Sequence, residues 1–222
     1  VEDLHWFGLR WDEGPDIGGA FGPYCQSERR ELYLAAWKKL RDAGLIYPCT
    51  CSRRDVLQSA GAPHHENEEP VYPGTCRSRP GPIERFDSPA GHHWRFRVPD
   101  GDAFEFVDQR LGTQRAIAGE DFGDFVVWRK DDVPAYQLAV VIDDAAMQIT
   151  EAVRGVDLLL STFRQLLLYR ALGLSAPQFY HTDLITDSSG HRLAKRDAAL
   201  SLRELRKTGA DPNELRARYL SS

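Results

Sequence analysis

The order of apolar and polar positions divides the chain into elements. After Ser27, apolar residues at Leu32, Ala35, Ala36, Leu40 and Ala43 follow a helical period, and Gly44 stands where a left-handed C-terminal cap belongs. Trp94, Phe96 and Val98 alternate with polar residues. Pro99-Asp100-Gly101-Asp102 then forms a turn signal, and Phe104 and Phe106 resume the alternation, so a hairpin is expected. Phe125 to Trp128 reads as a buried strand, Ala135 to Ile142 as a short helix and Met147 to Val153 as a strand. Leu158 to Leu172 follows as a long helix capped by Gly173, and Phe179 to Leu184 as a further strand. Strands alternating with helices, without hairpin turns, predict a parallel sheet wound by crossover helices: an α/β chain resembling the second half of a doubly wound nucleotide-binding fold. There is no internal repeat.

Composition adjusts this picture only in part. With 222 residues and 42% hydrophobic content the chain can bury a core, as one domain or one domain with an insertion. No apolar run approaches the roughly 20 residues of a membrane span, and the first residues lack the pattern of a signal peptide, so a cytoplasmic protein is expected. A net charge of -5 argues against a surface that grips nucleic acid everywhere. It leaves room for a local strip such as Arg203, Arg206, Lys207, Arg216 and Arg218, which the charge pattern alone reads as a solvated helix face. The sequence opens within an amphipathic pattern at Val1, which predicts a further element upstream.

Residues 49 to 92 differ in character, with three of the four cysteines, several prolines, the pair His64 and His65 and an acidic run. Something other than apolar burial must hold this stretch together. Cys49 and Cys51 form a close pair, and Cys76 follows Tyr72. In a reducing compartment thiolates at such spacing favour a structural Zn²⁺ over a disulfide. Three sulfurs leave a fourth position for Tyr72 as phenolate, His64, His65 or water, and spacing alone favours histidine. Buried inert thiols are the plainer alternative, disfavoured by a Cys-x-Cys pair in a proline-rich loop. Cys25 is treated as an ordinary thiol.

Several strings then converge. Gly8-Leu9-Arg10-Trp11-Asp12-Glu13-Gly14-Pro15-Asp16, Gly22-Pro23-Tyr24 and Gln26-Ser27-Glu28-Arg29 resemble the segment of glutamyl-tRNA synthetases and their relatives that follows the first strand and helices of the catalytic domain. Val153-Arg154-Gly155-Val156-Asp157, Thr162-Phe163-Arg164-Gln165 and Leu168-Tyr169 resemble a later strand and helix of that family. His191-Arg192-Leu193-Ala194-Lys195-Arg196 stands where class I synthetases carry their KMSKS-type loop. The resemblance runs over essentially the whole chain and implies a class I synthetase Rossmann-like doubly wound parallel sheet with an inserted zinc-binding module. Within the family, the full enzymes carry an anticodon-binding domain and charge a tRNA 3′ end. A shorter branch resembles the catalytic half alone and attaches glutamate to queuosine, a modified anticodon base of tRNA(Asp). In that branch the cysteine pattern ends Tyr-x-x-x-Cys, which Tyr72 and Cys76 match, whereas Ser78 occupies the place of the full enzymes' last histidine. The resemblance therefore moves the expected zinc ligands to Cys49, Cys51, Tyr72 and Cys76, and Ala194 in the loop points the same way.

What the resemblance implies for chemistry is an ATP-dependent ligase acting as a monomer on L-glutamate and tRNA, with Mg²⁺ accompanying ATP. Lys195 is expected to stabilise the phosphates during adenylate formation; without the family context it is a solvated loop lysine. Arg154, at the end of a parallel strand, is expected to hold the glutamate side chain, and Tyr136 to add a hydroxyl. Their plainer readings are a surface salt bridge and a core aromatic. Asp143, Asp144 and Asp157 could orient the arginine or contact ribose and are kept outside the expected site. The expected organisation is 1–48 as the remainder of the first catalytic half, 49–92 as the zinc module and 93–128 as the rest of the insertion. Residues 129–200 would form the second catalytic half and 201–222 a C-terminal helical region. The HIGH-type motif is expected upstream of Val1, so this stretch alone is expected not to form adenylate. A zinc-ribbon-like binding module without catalysis is the reading from another class.

Overall fold

The computed structural model describes residues 1–52, 54–56, 71–78, 86–184 and 201–220. Lys195 and its loop, His64 and His65 lie outside the described residues, as do the side chains of residues 218–220. Two compact units are present: residues 26–182, and residues 1–25 together with 183–222.

In the larger unit, helix α2 (Arg30–Asp42; α1 is Glu2–Trp6) buries Tyr33, Ala36, Trp37 and Leu40. The expected stripe is thus rotated: Leu32 is exposed, because the rings of Tyr33 and Trp37 bring more apolar area to the core than Leu32 and Ala35 can. Gly44 has φ +67°, as its capping place requires.

Trp37 meets Trp94 edge to face at 4.9 Å. Trp94 sits in a three-stranded antiparallel sheet made of β1 (Ile46–Cys49), β2 (His93–Phe96) and, beyond the hairpin described next, β5 (Phe125–Trp128). The expected hairpin between Trp94 and Phe106 does not form. Pro99 to Asp102 instead carries the chain from this sheet to a second one, where β3 (Ala103–Asp108) pairs antiparallel with β4 (Gly112–Ile117). Phe125–Trp128 likewise leaves the expected parallel sheet and pairs with β2, Trp94 opposite Trp128. A short apolar strand reads the same in either kind of sheet, so its partner was not legible from periodicity.

The parallel pairing lies further on. Helix α3 (Tyr136–Ala146) is followed by β6 (Glu151–Gly155), α4 (Leu159–Leu172) and β7 (Gln178–Thr182), a strand-helix-strand unit in which β6 and β7 run parallel in register from Glu151–Gln178 to Gly155–Thr182. β3 joins β7 in parallel at Asp108 and Phe179, giving the order β4-β3-β7-β6. Gly173 caps α4 in the left-handed region, φ 67°. α4 buries polar Thr162, Arg164 and Gln165 beside Phe163 and Leu168, while the other face of the sheet leaves Val107, Val153 and Tyr180 exposed.

In the smaller unit, α5 (Leu202–Lys207) and α6 (Pro212–Leu220) bring the basic residues toward acidic ones. Arg206 pairs with Glu2 and Asp3, Arg203 with Asp3, and Lys207 with Glu204, while Arg216 donates to the Phe7 carbonyl. Arg203, Arg206 and Lys207 of the basic strip are therefore paired with carboxylates within their own unit. No helix among the described residues is long and apolar enough to cross a membrane.

Candidate functional site

Arg154 is the fourth residue of β6, near the carboxyl end of the strand, where parallel sheets present ligands. Its guanidinium is fixed on three sides. Nε donates toward His181 Nε2 at 3.2 Å, Nη1 to Gln165 Oε1 at 2.8 Å and Nη2 to Thr162 Oγ1 at 2.7 Å, with Cζ 4.9 Å over the Phe179 ring. None of these partners is a carboxylate. Burial pulls the Arg154 pKa below its usual value, opposed by the Tyr136 phenol and the Asp144 carboxylate, yet a guanidinium keeps its charge. The result is a partly buried cation balanced only by dipoles and a more distant charge.

Tyr136 opens α3 and is about half exposed, so the expectation of a hydroxyl beside Arg154 agrees with its place better than a core aromatic does. The supporting layer continues through Gln165 Nε2 to Gln137 Oε1, 3.0 Å, and Gln137 Nε2 to Ser161 Oγ, 3.0 Å. Asp144 accepts from the Tyr169 hydroxyl at 3.1 Å. Burial raises its pKa, against that hydrogen bond and the charge of Arg154. Asp143 serves the packing instead, since its carboxylate accepts from Arg29, Tyr33 and Gln26 at 2.7 to 2.8 Å and ties α2 to α3.

Two residues that the sequence did not single out stand behind Arg154. His181 on β7 and Asp108 at the end of β3 are fully buried, with Nδ1 to Oδ2 at 2.6 Å. Burial works against the Asp108 charge, but hydrogen bonds from His181 and from the backbone N–H groups of Leu111 and Arg110 outweigh it and hold the carboxyl at about 2. The signal available in the sequence was weak: Thr162 and Gln165 are polar residues spaced for one face of an otherwise buried helix. Asp108 and His181 stand 73 positions apart, and no pattern in the sequence links the two.

The second constellation is the cysteine cluster. Cys49 ends β1, Cys51 follows it, and residues 71–78 bring Tyr72 and Cys76 against them. The three sulfurs lie within 4.8 Å of one another. Cys51 Sγ is 3.6 Å from Cys76 Sγ, and Tyr72 Oη is 3.4 Å from Cys49 Sγ and 3.5 Å from Cys51 Sγ. A tetrahedron with Zn–S near 2.3 Å and Zn–O near 2.0 Å has edges of about 3.5 to 3.8 Å, so these four side chains fit a zinc ion. Burial and the surrounding sulfurs push the Tyr72 phenol well up. Burial also works against the Cys76 thiolate, but hydrogen bonds from Tyr72 and the Thr50 backbone outweigh it and hold the thiol down to about 6. Arg95, buried on β2, places its guanidinium 3.9 Å over the Tyr72 ring and 3.4 Å from Cys49 Sγ, a fixed cation beside an anionic ligand set. Cys25 is an exposed free thiol.

Known proteins resemble this chain over most of its length. The family model described as "tRNA synthetases class I (E and Q), catalytic domain" matches residues 1–221. A "Glutamyl-Q tRNA(Asp) synthetase" of Symbiobacterium thermophilum is 51% identical over 96% of this chain and 66% of its own length. "Glutamate--tRNA ligase 1" of Halorhodospira halophila is 42% identical over 96% of this chain and 45% of its own. Among solved structures, a glutamate tRNA ligase from Elizabethkingia meningosepticum in complex with its amino acid superposes with a TM-score of 0.72 at 29% identity, over 89% of this chain and 41% of that one. The chain thus spans just under two thirds of the first kind of relative and under half of the second.

Proposed function

Because the chain belongs to the class I tRNA synthetase catalytic domains for glutamate and glutamine, we propose that it is the core of an ATP-dependent ligase. In this reading it activates L-glutamate as glutamyl-adenylate and transfers it to the queuosine base of tRNA(Asp). The observation that carries glutamate recognition is Arg154, a cation held by His181, Gln165 and Thr162 with no carboxylate among them. A side-chain carboxylate entering there completes the charge pair bidentately, and Tyr136 adds a hydroxyl at its edge. The α-carboxylate of glutamate attacks the α-phosphorus of ATP, pyrophosphate leaves, and a hydroxyl of the acceptor then attacks the acyl carbon and releases AMP. Lys195, with Mg²⁺ on the phosphates, would offset the charge that grows during the first step. Such an enzyme works in the cytoplasm, where its tRNA is.

Cys49, Cys51, Tyr72 and Cys76 would hold one Zn²⁺, which ties residues 71–78 to the end of β1. The phenol in that set supports the queuosine branch. The second reading, a ligase charging the 3′ end of tRNA(Glu), is favoured by relatives of that name at 41 to 42% identity.

The deciding experiment uses labelled glutamate, the protein at the full length its gene encodes, and tRNA(Asp) with or without queuosine, each with an intact or 3′-blocked terminus. Incorporation that needs queuosine and ignores the 3′ block supports the proposal. Incorporation into tRNA(Glu) that the 3′ block abolishes establishes the second reading.

A further inference from the structure

Arg154 can present a carboxylate fork in one place only if something fixes the plane of its guanidinium, and the contacts at Nε identify what does. An arginine carries donors alone. His181 Nε2, 3.2 Å from Arg154 Nε, must therefore bear a lone pair, and the ring proton must sit on Nδ1, which faces Asp108 Oδ2 at 2.6 Å. Thr162 Oγ1, also 3.2 Å from Nε2, accepts from Arg154 Nη2 and so locks the same plane from the helix side. Asp108 is itself immobile, because its oxygens accept from the backbone N–H groups of Arg110, Leu111 and His181 at 2.9 to 3.2 Å.

We propose that His181 is a positioning residue for substrate carboxylate binding: a neutral imidazole, its tautomer set by the Asp108 it faces, that fixes Arg154 through Nε, while Gln165 and Thr162 take one N–H of each Nη and the second N–H of each is left to the substrate. This rests on the reading of Arg154 as the carboxylate site. A doubly protonated ring would set N–H against N–H at Arg154, and the other tautomer would do the same while leaving Asp108 facing a lone pair. Outer partners of this kind fix ring orientation at metal-bound histidines, and the same logic holds for a histidine that orients a cation. The line Asp108, His181, Arg154 also joins the β3–β4 turn to the substrate side chain.

The test measures ATP–pyrophosphate exchange, with tRNA present, by the full-length enzyme and its variants. His181→Leu cannot accept from Arg154. It is expected to raise KM for glutamate roughly ten- to hundredfold, the loss of a hydrogen bond to a charged group, while KM for ATP stays within about twofold. His181→Gln can place an amide oxygen where Nε2 stands and is expected to recover most of that loss. ¹⁵N spectra of the unmutated protein are expected to show His181 protonated at Nδ1 and pyridine-like at Nε2, a readout that needs no variant to fold. A proton on Nε2 overturns the proposal. So do equal rises in KM for both substrates in both variants, which is what a merely structural histidine gives. If Arg154→Gln raises KM for glutamate but neither His181 variant does, the positioning role fails and the carboxylate site stands. If Arg154→Gln leaves it unchanged, the underlying site assignment fails.

Discussion

At the scale of single residues, the chemistry of the site depends on charges that are buried before any substrate arrives. Arg154→Lys keeps the charge but loses the planar fork and the simultaneous contacts to His181, Gln165 and Thr162. We expect it to raise KM for glutamate roughly tenfold or more in exchange assays, with ATP affinity unchanged, and a lysine variant with parental kinetics would show that recognition does not need the fork. Asp108 gives a prediction in pH. Its folded-state pKa, about 2, lies below the ordinary value near 3.9, so its charged form stabilises the fold. That contribution is complete above the unfolded value and is lost as pH falls toward the folded one. Urea midpoints of the parent should exceed those of Asp108→Asn by a constant margin above about pH 5, and the margin should shrink steadily below about pH 4. A margin that does not depend on pH would assign the effect to shape and not charge. Arg154 and the cysteines were legible in the sequence because strand end and spacing mark them. His181 and Asp108 were not, since the pair is made by two strands brought together only in the folded sheet.

At the scale of elements, the cluster between β1 and the 71–78 loop is held by chemistry more than by apolar area. Its small buried group is Tyr47, Cys49, Val56, Tyr72 and Cys76. Purified protein should carry about one zinc per chain. Tyr72→Phe preserves the aromatic ring under Arg95 and removes only the oxygen, so we expect the fold to persist and zinc to be lost to a chelator at least roughly tenfold more readily. Unchanged retention would return the fourth position to His64, His65 or water. Gly123 tests the same element from outside. A Cβ there would stand 2.8 Å from Val71 Cγ1 and 3.3 Å from the Tyr72 backbone nitrogen, so Gly123→Ala must displace the stretch of chain that carries the phenol. Weaker zinc retention with a secondary structure content like the parent's is the expected result, measured by chelator competition and circular dichroism. Periodicity placed the long helices of the larger unit and five strands to within about four residues, but it marked neither β1 nor β4. It assigned two strand pairings wrongly, because Trp94 to Phe96 and Phe104 to Phe106 share one alternation while belonging to different sheets.

At the scale of the whole molecule, the proposed function requires a chain of net charge -5 to meet a polyanion, tRNA, through a local excess of cations. The C-terminal strip offered that excess in the sequence, but the folded chain commits much of it elsewhere. Arg206 lies 3.0 Å from Asp3 and 3.1 Å from Glu2, Arg203 lies 3.5 Å from Asp3, and Lys207 lies 2.8 Å from Glu204. These are half-exposed surface pairs worth at most about 1 kcal/mol each, so they do not hold the unit together by themselves, yet they weaken the field the strip can project. Each phosphate neutralised by a protein cation releases counterions and adds close to one unit to the slope of log affinity against log salt. If Arg203 and Arg206 remain paired in the complex, replacing both with Gln leaves that slope unchanged and shifts tRNA affinity by no more than a few-fold at about 0.1 M salt, where screening reaches about 10 Å. If the pairs open onto phosphates, the double variant loses about two units of slope, and Glu2→Gln with Asp3→Asn tightens binding by freeing the same two cations. Titrations of tRNA at several salt concentrations, with the parent and both double variants, separate the outcomes. The paired arrangement predicts an unchanged slope for the Arg203 and Arg206 variant, because a cation that stays with its carboxylate neighbour neutralises no phosphate and so displaces none of the counterions condensed on the RNA.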